Sequence, residues 1–362
     1  YRSRLRLDGD RAVRGASLAR IYDDLGFDRR GQLEASRSLD IDRANHSAHR
    51  FLSDTYARRP RHEIARVSEL LQAQLLQPIN IAPVQPQLAI TDLNIVSGAG
   101  PAVSSFNEYN SLFERNRLRL LASGVYGNNN TWGNEAVLSG IYDRFSYSLG
   151  QFHYETDGYR ENNDLAHDIY NLFGQFAITP KLNLQAEYRS RETDHGDLGF
   201  KFNREEFDAG RRDNVETDTS RLGLNYAVSS GSNLLFSYIG SDRDRASSQT
   251  APQGASIARA NIKEDGNQFD GQYIWRQEDM SVLVGLLNYD FDVATRIALD
   301  YSPQPCPFPS GCVFTDDVSA VEQSTAYIYS NINYPRHVWW TLGVSYDSYD
   351  DEDIGIDTEE FN

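Results

Sequence analysis

From residue 117 onward the chain alternates apolar and polar residues in segments of about ten, joined by connections that run short, long, short, long. Period-two alternation puts successive side chains on opposite faces of a strand. Kept over more than two hundred residues with one parity of connection, the pattern fixes the solvent. One face meets lipid and the other meets water, as in a transmembrane β-barrel.

The pattern predicts eleven strands, at 117–126, 134–142, 145–155, 167–178, 182–191, 219–228, 233–241, 267–275, 280–292, 324–334 and 338–349. Asp143-Arg144, Thr179-Pro180-Lys181, 229–232, 276–279 and 335–337 are tight connections. The stretches 156–166, 192–218, 242–266 and 293–323 read as long polar loops. In bacterial barrels tight turns face the periplasm and long loops face outside, so whatever precedes the first strand belongs on the periplasmic side. Eleven is odd, and a closed single-chain barrel normally takes an even number, so the expectation is part of a larger barrel. The strand at 145–155 changes phase near Gly150, where a β-bulge is expected.

Most strands separate into two faces. Leu182, Leu184, Ala186 and Tyr188 point to lipid, and Asn183, Gln185, Glu187, Arg189 and Arg191 to the lumen. Val338, Trp340, Leu342, Val344 and Tyr346 form another lipid face; Phe269, Tyr273 and Trp275 oppose Gln268, Asp270 and Gln272. A one-residue slip would move each Arg into lipid at roughly 2–4 kcal/mol near the midplane. The lumen candidates are Arg117, Arg119, Asn171, Gln175, Glu187, Arg189, Arg191, Arg221, Asn225, Asp270, Gln272, Asn331 and Asn333. Mixed charge of this kind suits a hydrated conduit for polar solutes, and is also what any water-filled barrel carries.

Composition agrees with a barrel. No stretch of about 18 apolar residues exists to form a transmembrane helix. The 21 Tyr and 17 Phe suit aromatic girdles at the bilayer interfaces. A net charge of −17 argues against nucleic acid, whose phosphates need a basic face. The chain begins at Tyr1 with no signal peptide, and its only Met is Met280, which reads as a fragment of a longer precursor. Cys306 and Cys312 are separated by five residues in the Pro-rich stretch PQPCPFPSGCVF. A local disulfide in an oxidising compartment is one reading; a two-Cys metal site, with no His nearby, is the other.

Residues 10–76 read as helical. A 34-residue echo relates Leu18 to Leu52 and Tyr22 to Tyr56. Leu18, Tyr22 and Gly26 fall on a first helix; Gly31, Ala35, Ser38 and Leu39 fall on a second, which Asp42 and Asn45 close. This resembles the tetratricopeptide repeat, with Arg43 where that family usually has proline. The resemblance implies a helical seam built from Leu18, Tyr22, Gly26, Ala35, Leu52 and Tyr56. It also implies further repeats before Tyr1, because one full and one partial repeat bury too little alone. A third helix over 61–77 carries Ile64, Val67, Leu70, Leu71 and Leu75 on one face, placed to cap the array. Residues 78–106, with Pro78, Pro83, Pro86 and Pro101, read as a linker from which the helices hang below the barrel.

Chemistry-bearing constellations are few. His153, Glu155, Asp157, Arg160, Asp164 and His167, with Glu161, Asn162, Asn163 and Asp168 among them, crowd one predicted loop and its flanks. They read as a cation site or gate at the mouth, or as a well-paired rim; no metal-ligand spacing is diagnostic. The acidic run over 347–360 reads as a solvated loop, or as a site for divalent cations that bridge lipopolysaccharide. No GxSxG, HExxH, phosphate-binding loop or nucleophile with an evident base occurs, so neither an enzyme nor a cofactor is expected.

The expected fold is therefore α + β and multidomain: tetratricopeptide-like helical hairpins over 1–77, a linker over 78–106, and an antiparallel transmembrane β-barrel over 107–362. This order resembles two groups of outer-membrane proteins with periplasmic repeats, the exopolysaccharide exporters and the surface-lipoprotein translocators. The turn and strand ITPKLNLQAEYR also resembles barrels of the TonB-dependent-receptor type, although no plug domain or TonB-box segment is recognisable. The resemblance implies an outer-membrane conduit exporting a polar substrate such as polysaccharide or protein. It implies a periplasmic protein partner on the helices, lipid and lipopolysaccharide around the barrel, and a monomer. The alternatives are a receptor-like uptake barrel and a structural surface protein without transport.

Overall fold

Among the described residues, twelve strands follow one another in a single antiparallel sheet, each paired only with its neighbours in sequence. The computed structural model describes residues 7–56, 63–76, 116–199, 207–250, 256–277, 279–301, 313–335, 338, 340–351 and 356–361. The expected linker, Cys306, Cys312 and the side chain of Arg117 lie outside the described residues.

The strands are β1 (Arg117–Tyr126), β2 (Trp132–Tyr142), β3 (Phe145–Thr156), β4 (Leu165–Thr179), β5 (Leu182–His195) and β6 (Arg211–Ser229). They continue with β7 (Ser232–Thr250), β8 (Ser256–Arg276), β9 (Met280–Tyr301), β10 (Val313–Ile332), β11 (Trp340–Asp351) and β12 (Ile356–Phe361). Turn chemistry sets one end of this barrel-like sheet. Asp143 turns β2 into β3 with φ +53°, and Pro180-Lys181 turns β4 into β5. A short polar side chain tolerates the left-handed region better than most.

The two faces alternate as period two requires. On β5, Asn183, Gln185, Glu187 and Arg189 are buried on the concave side, while Leu184 and Tyr188 are exposed on the convex side. The convex face ends in tyrosines whose hydroxyls find polar partners: Tyr188 donates to Asp218 at 3.0 Å, and Tyr238 to Asn267 at 2.7 Å. An aromatic body with a polar tip belongs where lipid gives way to water.

Beyond that belt the structure departs from expectation. The stretches read as loops at 242–266 and 293–323 are largely strand, that at 192–218 is strand at both ends, and β9 alone has 22 residues. The hydrocarbon layer needs only about 9–11. Above the lipid both faces are wet, so apolar alternation disappears while the hydrogen-bond ladder continues. Cross-strand ion pairs hold it, such as Arg243 with Glu264 at 3.1 Å. The described residues of the acidic run over 347–360 are likewise strand: they supply the end of β11 and most of β12, the twelfth strand. Nor is there a bulge at Gly150. β3 stays in unbroken register with β2 and β4, and its phase change marks Gln151, His153 and Glu155 turning to the convex face.

Four helices precede the sheet among the described residues: α1 (Leu7–Asp24), α2 (Asp28–Ile41), α3 (His46–Tyr56) and α4 (Glu63–Leu76). Ala16, Ala19, Ala35, Leu39, Ala48, Phe51 and Leu52 form the core of α1 to α3, with Tyr56 against it. Gly31 allows the close approach: a Cβ there would meet the Ala19 carbonyl oxygen at 2.8 Å and the Phe51 ring at 3.1 Å. Asn45 caps α3 by accepting the Ser47 amide at 3.1 Å, and donates to Ser38 at 3.0 Å. Ser38 in turn donates to the Ala12 carbonyl. Leu18 is not in the seam. It is exposed, because Ala12, Ala16 and Ala19 define the buried stripe of α1 and Leu18 lies off it. Gly26, at φ +81°, is exposed in the turn between α1 and α2, and Tyr22 is half-buried.

Candidate functional site: the concave face and the helix lodged in it

The concave face carries polar side chains on β4, β5 and β6, whose register sets them side by side. Asn171 donates to Glu187 at 2.6 Å, and Glu187 pairs with Arg221 directly across the ladder. All three are under 9% exposed. An ion pair this buried is kept by its partners rather than by solvent, since either charge left alone would bear the full cost of desolvation. Arg189 is buried beside them; Gln175 accepts from Ser146 at 3.3 Å, and Arg191 donates to Thr217 at 3.3 Å. Arg119, on β1, shares this face and is half-buried.

On β8 to β11 the same face holds Asp270, which accepts from Gln272 at 2.6 Å, and Asn331, which accepts from Thr341 at 3.0 Å. Asn333 is half-buried beyond the end of β10, and its amide donates to the Asp279 carbonyl at 2.8 Å.

This wall is not uniformly polar. Leu235, Ile239, Ile274 and Leu283 also face inward, and Leu71 and Leu75 of α4 complete the cluster, with Tyr327 at its edge. Sequence reasoning missed this patch. The available signal was the doublet Leu234-Leu235, which puts an apolar residue on both faces of β7, as a strand covered on both sides requires. The helices therefore do not hang clear of the sheet. Asn225 donates to the Leu75 carbonyl at 2.7 Å, and Gln268 to Ser68 at 3.3 Å. At the short-turn end Arg276 pairs with Asp42 at 2.9 Å, and Asn331 donates to the Asp40 carbonyl at 2.7 Å.

The polar cluster expected at the rim separates into distinct places. Register pairs His153 with Asp168, so His167 falls on the opposite face. His153 is convex: Nδ1 lies 2.7 Å from Asp168, the Trp132 ring is 4.4 Å away, and Glu155 accepts from the Trp132 indole at 3.1 Å. His167 is concave, with Nδ1 2.8 Å from the Thr193 hydroxyl. Arg160 is buried in the loop after β3, where it holds Asp197 and donates to the carbonyls of Asp197 and Gly199 at 2.7 and 2.9 Å. Asp164 is tied to Arg212 at 2.6 Å, and Asp157 is exposed. Among the described residues no group of three or more His, Cys, Asp or Glu is placed to hold a metal ion.

Two carboxylates above the lipid belt are electrostatically distinct. Burial pushes Asp213 up, but hydrogen bonds from Arg211, Ser247 and Arg245 outweigh it and hold the carboxyl below its ordinary value. Asp265 is pushed up by its hydrogen bond with Asp242, by burial, and by the charges of Asp242, Asp292 and Asp290.

No family model and no curated protein matches the chain. Solved structures do. The ferric citrate transporter FecA in its unliganded form matches at TM-score 0.51 and 14% identity, over 66% of this chain and 39% of that one. The ferric yersiniabactin uptake receptor FyuA from Yersinia pestis matches at 0.50 and 14%, over 68% and 42%. The copper transporter OprC matches at 0.52 and 9%, over 69% and 41%. The chain thus spans about two fifths of the length of these proteins. At such identities the likeness is one of fold: that of bacterial outer-membrane receptor barrels.

Proposed function

We propose that this chain forms part of an uptake barrel in the bacterial outer membrane, passing a polar solute inward along its concave wall. The observation that carries the reading is the twelve-stranded sheet, with exposed apolar side chains on its convex face and buried polar and charged ones among the apolar patches of its concave face, folded as in outer-membrane receptors. Uptake replaces export as the leading reading, since transporters and an uptake receptor share this fold and the helices lie against the concave face. The barrel works as a monomer among lipid and lipopolysaccharide. No catalytic step or cofactor belongs to this reading. The helices, read as tetratricopeptide-like hairpins, face the periplasm and engage a protein partner there.

The test is accumulation of labelled oligosaccharides, peptides and metal chelates by cells with and without the protein. Accumulation that requires the protein and stops when the proton gradient is dissipated supports uptake through an energised partner. Release of a polar polymer into the medium, with no accumulation, returns the export reading.

A further inference from the structure

Strands β5, β6 and β7 sort their charges by face. Period two and the register send Arg189, Arg191, Arg211, Arg221, Arg243 and Arg245 to the concave side, with two carboxylates, Glu187 and Asp213. The convex side of the same strands carries Glu192, Asp194, Glu216, Asp218, Asp242 and Asp244, with one cation, Arg212. Ladder stability does not account for this. Opposite charges across a ladder stabilise it and like charges directly opposite destabilise it. Yet Asp218 stands opposite Asp242, and Glu216 opposite Asp244. On the concave side Thr217 stands between Arg191 and Arg243. The sign of charge follows the face of the sheet.

The concave arginines also form a graded column. From Arg221 to Arg211 is about 33 Å of β6, at roughly 3.3 Å per residue. Side-chain exposure rises along the column, from 3% at Arg221 to 23% at Arg243, 38% at Arg245 and 44% at Arg211. The accessible end is therefore the outer one, and the buried end lies level with Tyr188, which stands opposite Ser220. Carboxylates fix the guanidiniums: Asp213 accepts from Arg211 at 2.7 Å and from Arg245 at 3.0 Å, and Glu264 of β8 accepts from Arg243 at 3.1 Å. Asp270, also concave on β8, lies nearer the short turns than Arg221. A guanidinium has five donors, more than one carboxylate takes up. The Nε–H groups of Arg243 and Arg245 have no acceptor among the described residues.

A concave wall in which one sign of charge prevails focuses its field into the space it encloses. Guanidinium forks match the oxygens of carboxylate and phosphate. We infer that this column is an anion track, which takes solutes bearing carboxylate or phosphate groups at the outer end and passes them down towards the tyrosine belt. The acidic convex face turns the same anions away from the outside of the sheet. The track names the solute class for the uptake reading above, and rests on that reading for the direction of travel.

The test is arginine modification by phenylglyoxal in the full, unsubstituted chain, held in a neutral detergent at low ionic strength. Inorganic diphosphate is the probe, and peptide mapping reads the rate at each arginine. Arg212 is the internal control. At 47% it is as exposed as Arg211 and Arg245, and it too is paired with carboxylates, Asp164 and Asp194, but it faces outward. Saturating diphosphate is expected to slow modification of Arg211 and Arg245 roughly tenfold and to leave Arg212 unchanged. Trehalose, which is neutral, should protect none of the three. Equal protection of all three by diphosphate, or protection of none, overturns the track, and accumulation of some other solute by cells would then leave uptake standing without it. Protection of Arg211 and Arg245 in a protein that lets cells accumulate no labelled anion overturns the uptake reading and leaves the anion site in place.

Discussion

Asn225 on β6 donates its side-chain amide to the main-chain oxygen of Leu75, 2.7 Å away and 150 residues earlier in the chain. That oxygen lies in the last turn of α4, where helix carbonyls have no partner within the helix. The sheet therefore caps the helix lodged against it, and Asn233 orients the cap by donating to Asn225 at 3.1 Å.

Asn225→Leu keeps the bulk and removes the donor. It is expected to weaken α4 docking by about 1–3 kcal/mol, the cost of an orphaned buried carbonyl. Hydrogen exchange of the α4 amides should accelerate while that of β4 and β5 stays unchanged. Exchange at the wild-type rate would show that the cap contributes nothing.

The Glu187–Arg221 pair offers a second check. Arg221→Met strands a buried carboxylate and is expected to destabilise the sheet by about 3–5 kcal/mol. Replacing both partners, Glu187→Leu with Arg221→Met, should recover most of that loss. Urea titration followed by the gel shift between folded and unfolded barrel reads both. Equal losses in the single and double variants would contradict a pair buried from solvent.

Acid should loosen the outer ends of β6 and β7. Asp213 has a folded-state pKa below its ordinary value, so its contribution to stability is present above the ordinary carboxylate range and is lost as the pH falls through the folded value. Protection over 211–218 and 243–250, taken relative to the intrinsic exchange rate at each pH, should fall below about pH 4. Asp213→Asn should show the low protection already at pH 7 and little further loss of it on acidification. A pH response that persists in Asp213→Asn would assign it elsewhere.

The cysteines give a covalent prediction. Peptide mapping without reductant is expected to find Cys306 linked to Cys312 in protein taken from outer membranes. Thiol labelling of both residues in the unreduced protein would remove the disulfide reading.

Much of the sheet was readable before any fold was known, because lipid imposes a local rule. A strand crossing the hydrocarbon layer must change character at every residue, and Leu182 to Arg189 does so. The turns were readable for a similarly local reason: Asp143 and Pro180 restrict their own backbone. Where the local rule ends, legibility ends with it. Beyond Tyr188 and Tyr238 both faces are wet, so nothing in the alternation of 242–266 says that the strands continue. They do so because of partners such as Arg243 and Glu264, which lie on different strands. β12 was hidden in the same way, by an acidic composition that looks like a loop until β11 pairs with it.

The sequence by itself determined where lipid lies, because burial in hydrocarbon is repeated at every second residue and so is written in order along the chain. Only the tertiary structure decided which residues meet across it. His153 and His167 separate because one residue of register sends neighbours to opposite faces. Leu71 finds Gly223 and Leu235 because folding brings together segments that no periodicity relates: the Leu234-Leu235 doublet marks a strand covered on both faces but says nothing of what covers it.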